Sequence, residues 1–145
     1  MATATIYGKY VMNALSGLVD IGSGSPDTLT LTLHTSSYTP SQLHEHYDDL
    51  TNEITPADDY SAGGKALTNL SLSFDNVDTI TFDADDVTWT TSTLTARYAV
   101  LSQDTATPAT DVLIMYLDFG SDQSSSAADF TVQWNTGGIF TVTLS

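Results

Sequence analysis

Leu29, Leu31 and Leu33 alternate with Thr28, Thr30 and Thr32, and this two-residue period constrains the chain more than any other feature. Side chains of a strand point alternately to opposite faces, so one row is apolar and the other is not. The pattern returns in Leu70, Leu72 and Phe74, in Ile80 and Phe82, in Val87 and Trp89, and in Leu94, Ala96, Tyr98 and Val100. It returns again in Phe130, Val132 and Trp134, answered by Phe140, Val142 and Leu144. Residues 112–119 are apolar almost throughout, broken only at Asp118, as in a central strand covered on both faces. Asp75-Asn76 reads as a turn, and Asn135-Thr136-Gly137-Gly138 as a hairpin turn. Residues 52–64 and the Ser-rich 120–128 read as surface loops. Seven or eight short strands at this spacing predict an all-β domain over 1–145. The expected architecture is an antiparallel β-sandwich, jelly-roll-like, whose body is residues 28–145.

Two segments carry a helical period instead. Tyr7, Tyr10, Val11, Ala14, Leu15 and Leu18 share one helical face, which predicts an N-terminal helix or arm within residues 1–20. Gly8 and Gly17 weaken it, and the Gly- and Ser-rich run up to Pro26 ends it. Such a helix either packs across one end of a sheet or docks on a neighbouring subunit. Leu43, Tyr47 and Leu50 predict a second, short helix over 42–50, with Ser41 as its cap.

Composition limits what the domain can do. Eighteen acidic residues stand against Lys9, Lys65 and Arg97, for a net charge of −15. That field repels a phosphate backbone, so direct nucleic-acid binding is not expected. There is no cysteine, which excludes disulfides and thiolate metal sites. Ser and Thr exceed a quarter of the chain, a content that suits the exposed rows of strands. No run approaches the roughly 18 consecutive apolar residues of a membrane helix, and the first residues lack the pattern of a secretory signal. Synthesis in a cytoplasm with no membrane association is the expectation.

The chemical motifs are sparse. His44 and His46 are two apart and do not share a helical face, and His34 is the only other imidazole. Asp83, Asp85 and Asp86 offer oxygens at calcium-like spacing, but without the Gly and distal Glu of an EF-hand loop. They read first as a solvated turn, and no cofactor is expected. Gly63-Gly64-Lys65 is only a fragment of a phosphate loop. No G-x-S-x-G elbow or other nucleophile motif is present, so the chain is not expected to be an enzyme. Arg97, the sole arginine, is expected to pair with a carboxylate of a neighbouring strand or of a second subunit. Trp89 and Trp134 read as core. With Arg97, Tyr7 and Tyr10 are the candidate interface residues.

Several segments resemble a family of small virion structural proteins of tailed bacteriophages. They are Thr51-Asn52-Glu53-Ile54, Tyr60-Ser61-Ala62-Gly63-Gly64-Lys65-Ala66-Leu67 and Phe82-Asp83-Ala84-Asp85-Asp86-Val87-Thr88-Trp89. The pattern continues in Thr95-Ala96-Arg97-Tyr98-Ala99-Val100-Leu101, in residues 104–110, in Leu117-Asp118-Phe119-Gly120-Ser121 and in Asp129-Phe130-Thr131-Val132-Gln133-Trp134. The resemblance implies a head cement or decoration protein on the outside of the capsid. Its partners would be the major capsid protein and further copies of itself, as a homodimer or homotrimer. A tail, head–tail junction or fibre component, or a host-receptor or glycan-binding module, are the alternatives. The resemblance brings no catalytic residues with it.

Overall fold

The structure is a computed structural model that describes residues 2–22, 24 and 26–145. In chain order the elements are β1 (Thr3–Ile6), α1 (Gly8–Leu15), β2 (Leu29–His34), a single 3-10 turn (Tyr47–Asp49), β3 (Lys65–Ala66), β4 (Ser71–Phe74), β5 (Thr79–Asp83), β6 (Val87–Gln103), β7 (Leu113–Val132) and β8 (Phe140–Thr143). They form two antiparallel sheets, one ordered β1-β7-β6-β2-β3 and the other β4-β5-β8. The mainly β fold with an N-terminal helix is the one expected. The jelly-roll label is narrower than what these two sheets establish.

The larger sheet is organised on two long neighbours, β6 and β7. β2 lies between β6 and β3, and its leucine row and its Thr30, Thr32, His34 row are both buried. Leu113, Ile114 and Met115 of β7 are buried too, and β1 pairs along the same stretch, Ile6 opposite Met115. Trp89 is fully buried against Tyr60 and Phe130, and Trp134 is also buried.

Three sequence expectations change at this level. The Ser-rich 120–128 segment is strand, because β6 supplies it with a ladder: Leu94 pairs Ser125, Thr95 pairs Ser124 and Ala96 pairs Gln123. Hydroxyls reinforce that pairing, Thr95 Oγ1 to Ser124 Oγ at 2.7 Å and Ser125 Oγ donating to the Ser92 carbonyl at 2.7 Å. The loop-like composition marks a bulge instead. Between the pairs Ala96–Gln123 and Tyr98–Asp118, Arg97 alone faces residues 119–122, and Gly120 there has φ +81°. Arg97 closes the base of the bulge with a two-pronged bond to Asp118, 2.6 Å from Nε and 3.1 Å from the second guanidinium nitrogen.

The Asn135–Gly138 turn forms, with the Gly138 amide donating to the Asn135 carbonyl at 2.9 Å, but it does not join two strands of one hairpin. β7 belongs to the large sheet and β8 pairs with β5 in the small one. The turn therefore hands the chain between sheets, and Gly138 makes the crossing possible. Its φ is +102°, and a Cβ there would lie 2.5 Å from Thr81 and 2.9 Å from the Phe82 carbonyl.

The predicted 42–50 helix shrinks to the 3-10 turn at Tyr47–Asp49. His46 stands at its cap: its carbonyl accepts from the Asp49 amide at 3.0 Å, while Asp49 Oδ2 accepts from the amides of His46 at 3.1 Å and Glu45 at 2.8 Å. Ser41 Oγ accepts from the Leu43 amide, before the 3-10 turn. The two amide bonds to Asp49 Oδ2 hold that carboxyl below its usual range.

Candidate functional site

The N-terminal helix presents its residues in an unexpected sense. Tyr10 and Asn13 are its buried side chains, and Ala14 packs against the core beside them. Asn13 donates to Glu45 at 3.2 Å, and Lys9 lies 3.6 Å from the other oxygen of the same carboxylate. The polar side is thus turned toward the body of the protein. Gly8, Val11, Met12 and Leu15, related by three, four and seven positions, lie along the opposite side. Met12 is 64% exposed and Leu15 85%, with Val11 and Leu18 also exposed. Gly17, at φ +76°, ends the helix in the left-handed conformation, with its amide bonded to the Ala14 carbonyl and that of Leu18 to Asn13. The predicted apolar face is therefore split: Tyr7, Tyr10 and Ala14 face in, while Val11, Leu15 and Leu18 face out.

A neighbouring turn extends this surface. Gln42 sits over Gly8, where a Cβ would lie 3.1 Å from the Gln42 side-chain oxygen, and the next residue, Leu43, is 81% exposed. Leaving a Leu or Met side chain in water forgoes about 1.5–3 kcal/mol of burial each. Clustered exposed apolar residues of this kind mark contact surfaces.

The expected interface residues are used inside the chain. Tyr7 is fully buried, and its hydroxyl meets that of Tyr38 at 2.7 Å; Tyr38 in turn lies 3.1 Å from His44 Nδ1. Burial pushes Tyr38 up to about 12, against the Tyr7 hydrogen bond that favours its ionised form, and drives Tyr7 further still. Tyr10 is buried, and its ring lies 6.2 Å from Phe140 of the small sheet. Arg97 holds Asp118, as the overall pairing described above requires, and that guanidinium keeps the Asp118 carboxyl below its ordinary value.

The histidines and carboxylates do not assemble as the sequence offered them. His34 is buried with both nitrogens bonded, Nε2 to Thr32 Oγ1 at 3.0 Å and Nδ1 to the Thr51 carbonyl at 2.8 Å. Burial lowers its proton affinity. Asp85 accepts from Thr68 and Asn69, and Asp86 from the Trp134 amide at 2.8 Å. Of the calcium candidates, Asp85 and Asp86 thus act as acceptors that tie the β5–β6 turn to its neighbours, while Asp83 ends β5 opposite Ser71. Among the described residues the one group whose possible ligand atoms converge is His46, Asp48 and Asp49, and His46 and Asp49 are the reciprocal cap of the 3-10 turn.

One cluster had no motif to announce it. Glu53 accepts from the Tyr47 hydroxyl at 2.5 Å, the Tyr60 hydroxyl at 2.7 Å and the Gly63 amide at 2.8 Å. Tyr60 also accepts from the Leu33 amide at 2.9 Å, so the 52–64 loop is pinned to β2. Tyr60, the aromatic a ligand-binding loop would need, is 2% exposed. Gly64 explains the phosphate-loop fragment: at φ +73° it lies so close to β2 that a Cβ would fall 2.0 Å from the Leu31 carbonyl.

An open groove of about 850 Å³ lies where Ala2 and Ala4 meet Leu117, Phe119, Gln123 and Trp134. The Trp134 indole nitrogen donates to the Asp85 carbonyl at 2.9 Å. Among the described residues no helix is long and apolar enough to cross a membrane. No family model, curated protein or solved structure matches this chain.

Proposed function

We propose that this chain is a structural protein of a tailed-phage particle, a cement or decoration protein on the outside of the capsid that bridges capsomers and stabilises the head. The observation that carries the assembly role is the bare apolar side of α1, held outward on a chain of net charge −15. Such a surface is stable in water only at a cost that a partner removes. The assignment to a phage particle rests on the sequence resemblance.

The clusters that resemble machinery support a non-enzymatic role. Glu53, His34, Asp85 and Asp86 are each engaged by donors or acceptors of the fold itself. The acidic exterior favours a location that contacts protein, not packaged nucleic acid. The major capsid protein and further copies of the chain are the proposed partners, after synthesis in a host cytoplasm that requires no disulfides. A place in the tail, neck or fibre uses the same physics with a different neighbour.

A reconstruction of the particle carrying this chain tests the proposal. Regular density at capsomer junctions on the outer shell is the expected result. Density confined to the neck, tail or fibres would overturn the cement role.

A further inference from the structure

We infer that α1 is the self-association surface of this protein, closing a two-fold homodimer in which the outward stripe of one copy packs on the same stripe of the other. This names the partner of the apolar side already described, and so deepens the assembly role proposed above. Three observations favour a second copy as the occupant.

The first is charge. No acidic residue precedes Asp20, so the first 19 residues carry only Lys9 while the rest of the chain holds all 18 acids. Two molecules of net charge −15 repel over most approaches. The approach along α1 brings no carboxylate of this segment against its copy. Of the nearest carboxylates, Glu45 lies on the Lys9 and Asn13 side of the helix, opposite Val11, Met12 and Leu15, and is bonded to both residues, while the exposed Asp20, just past Leu18, accepts from the Gly22 amide.

The second is shape. Val11, Met12 and Leu15 lie on a straight stripe that begins at Gly8, and Leu18 follows just past the helix end. A stripe of this kind is self-complementary when a two-fold axis crosses it near Leu15, each residue meeting its counterpart's row. Gly17, a small and exposed residue, separates Leu15 from Leu18.

The third is area. Val11, Met12, Leu15, Leu18 and Leu43 are all more than half exposed. Together they present on the order of 500 Å² of apolar surface, within the range of the largest patch on a typical monomer, which is often functional. A two-fold contact doubles that to about 1,000 Å², the lower range for a specific interface.

Analytical ultracentrifugation of the full chain, from low micromolar to several hundred micromolar protein and at low and high salt, tests this directly. Wild type is expected to show a monomer–dimer equilibrium that tightens as salt screens the like charges. Leu15→Asp is expected to weaken association at least about tenfold. Because Leu15 is 85% exposed, its circular dichroism and thermal unfolding at low concentration should match wild type, and Leu15→Gln serves as the uncharged control for the added carboxylate. A wild-type chain that stays monomeric throughout, a dimer untouched by Leu15→Asp and Leu15→Gln, or a trimer in place of the dimer would overturn the inference. The measurement needs only the isolated chain. A dimer found without capsid density would leave this inference standing and remove the cement role, and capsid density from a monomer would do the reverse.

Discussion

β2 and β4 are written in the same alphabet and end in opposite environments. Leu29–His34 reads LTLTLH and every residue is buried, whereas Ser71–Phe74 reads SLSF and every residue is exposed. Alternation is what makes both of them strands, since it gives each a row that can face a core. It does not decide whether a core is there. β2 is an inner strand with β6 and β3 on either side, and its polar row is covered as well as its leucines. β4 is an edge strand of a three-stranded sheet whose apolar face is buried at one end and bare at the other. Phe82 is fully buried there and lies 5.2 Å from Phe140, while Phe74 is 48% exposed and Val142 44%. Position in the sheet order sets burial, and burial sets what each side chain contributes.

That contrast can be broken most directly with alanine. Leu33→Ala removes a fully buried side chain from β2 and is expected to cost about 2–5 kcal/mol, read as a fall in the denaturant midpoint at unchanged slope. A cost near zero would mean that the inner strand is no better packed than the edge, and the comparison would collapse.

The next effect tests how the 52–64 loop supports β2. Tyr60→Phe keeps the ring against Trp89 but removes the hydroxyl that donates to Glu53 and accepts from the Leu33 amide. Two groups then lose a partner in the interior, and about 1–3 kcal/mol of destabilisation is expected. If chemical denaturation finds the variant as stable as wild type, the loop is not what fastens β2 on that side.

These same elements separate what was legible in the sequence from what was not. Strand identity was legible, because the Leu/Thr period and the Asp75 turn are local. The turn holds as expected, with Asp75 Oδ1 accepting from the amides of Val77, Asp78 and Thr79. Strand partners were not. Residues 120–128 look like a loop by composition, and only the ladder offered by Leu94–Ala96 makes them strand. The Asn135–Gly138 signal specifies a turn but says nothing of which sheet receives the chain afterward. The direction of α1 was half legible: the period marks a helix, yet both a tyrosine-bearing side and a Val, Met and Leu side satisfy it. The Glu53 cluster joins residues 47, 53, 60 and 63 through two tyrosine hydroxyls and an amide, and no spacing rule records such a convergence. Each of these misses concerns long-range placement, which period and composition do not encode.

The polar row of β2 should also give the inner strand a pH dependence that the edge strand lacks. His34 has its proton affinity lowered from 6.5 chiefly by burial, partly countered by the Thr51 carbonyl and the charge of Glu53. The unfolded chain therefore takes up a proton that the folded one resists. This contribution to stability is complete above about pH 6.5 and is lost as pH falls below that value. Asp49, Asp59, Asp75 and Asp118 are held below their ordinary values, so their contributions fade only as pH drops through the carboxylate range, below about 4. Denaturation between pH 7 and 5 should show a modest slope in wild type that flattens in His34→Gln. An unchanged slope would place the titrating group elsewhere.

The smallest effect lies on the edge strand itself. Leu72→Ala truncates a side chain that is 38% exposed, opposite Phe82 in the β4–β5 register. Much of its surface is already in water, so the loss should stay below about 1 kcal/mol, against several for Leu33→Ala. The informative control is protein concentration. If Leu72→Ala is mild in dilute solution and becomes costlier as concentration rises, the β4 edge is covered in an assembly, because only a bound copy adds stability that depends on mass action. If the cost is small at every concentration, the β4 edge faces solvent and Leu72 serves strand pairing alone. A large cost even in dilute solution would mean that the monomer buries β4 more deeply than its exposed edge position allows, and position in the sheet order would no longer account for the difference between the two strands.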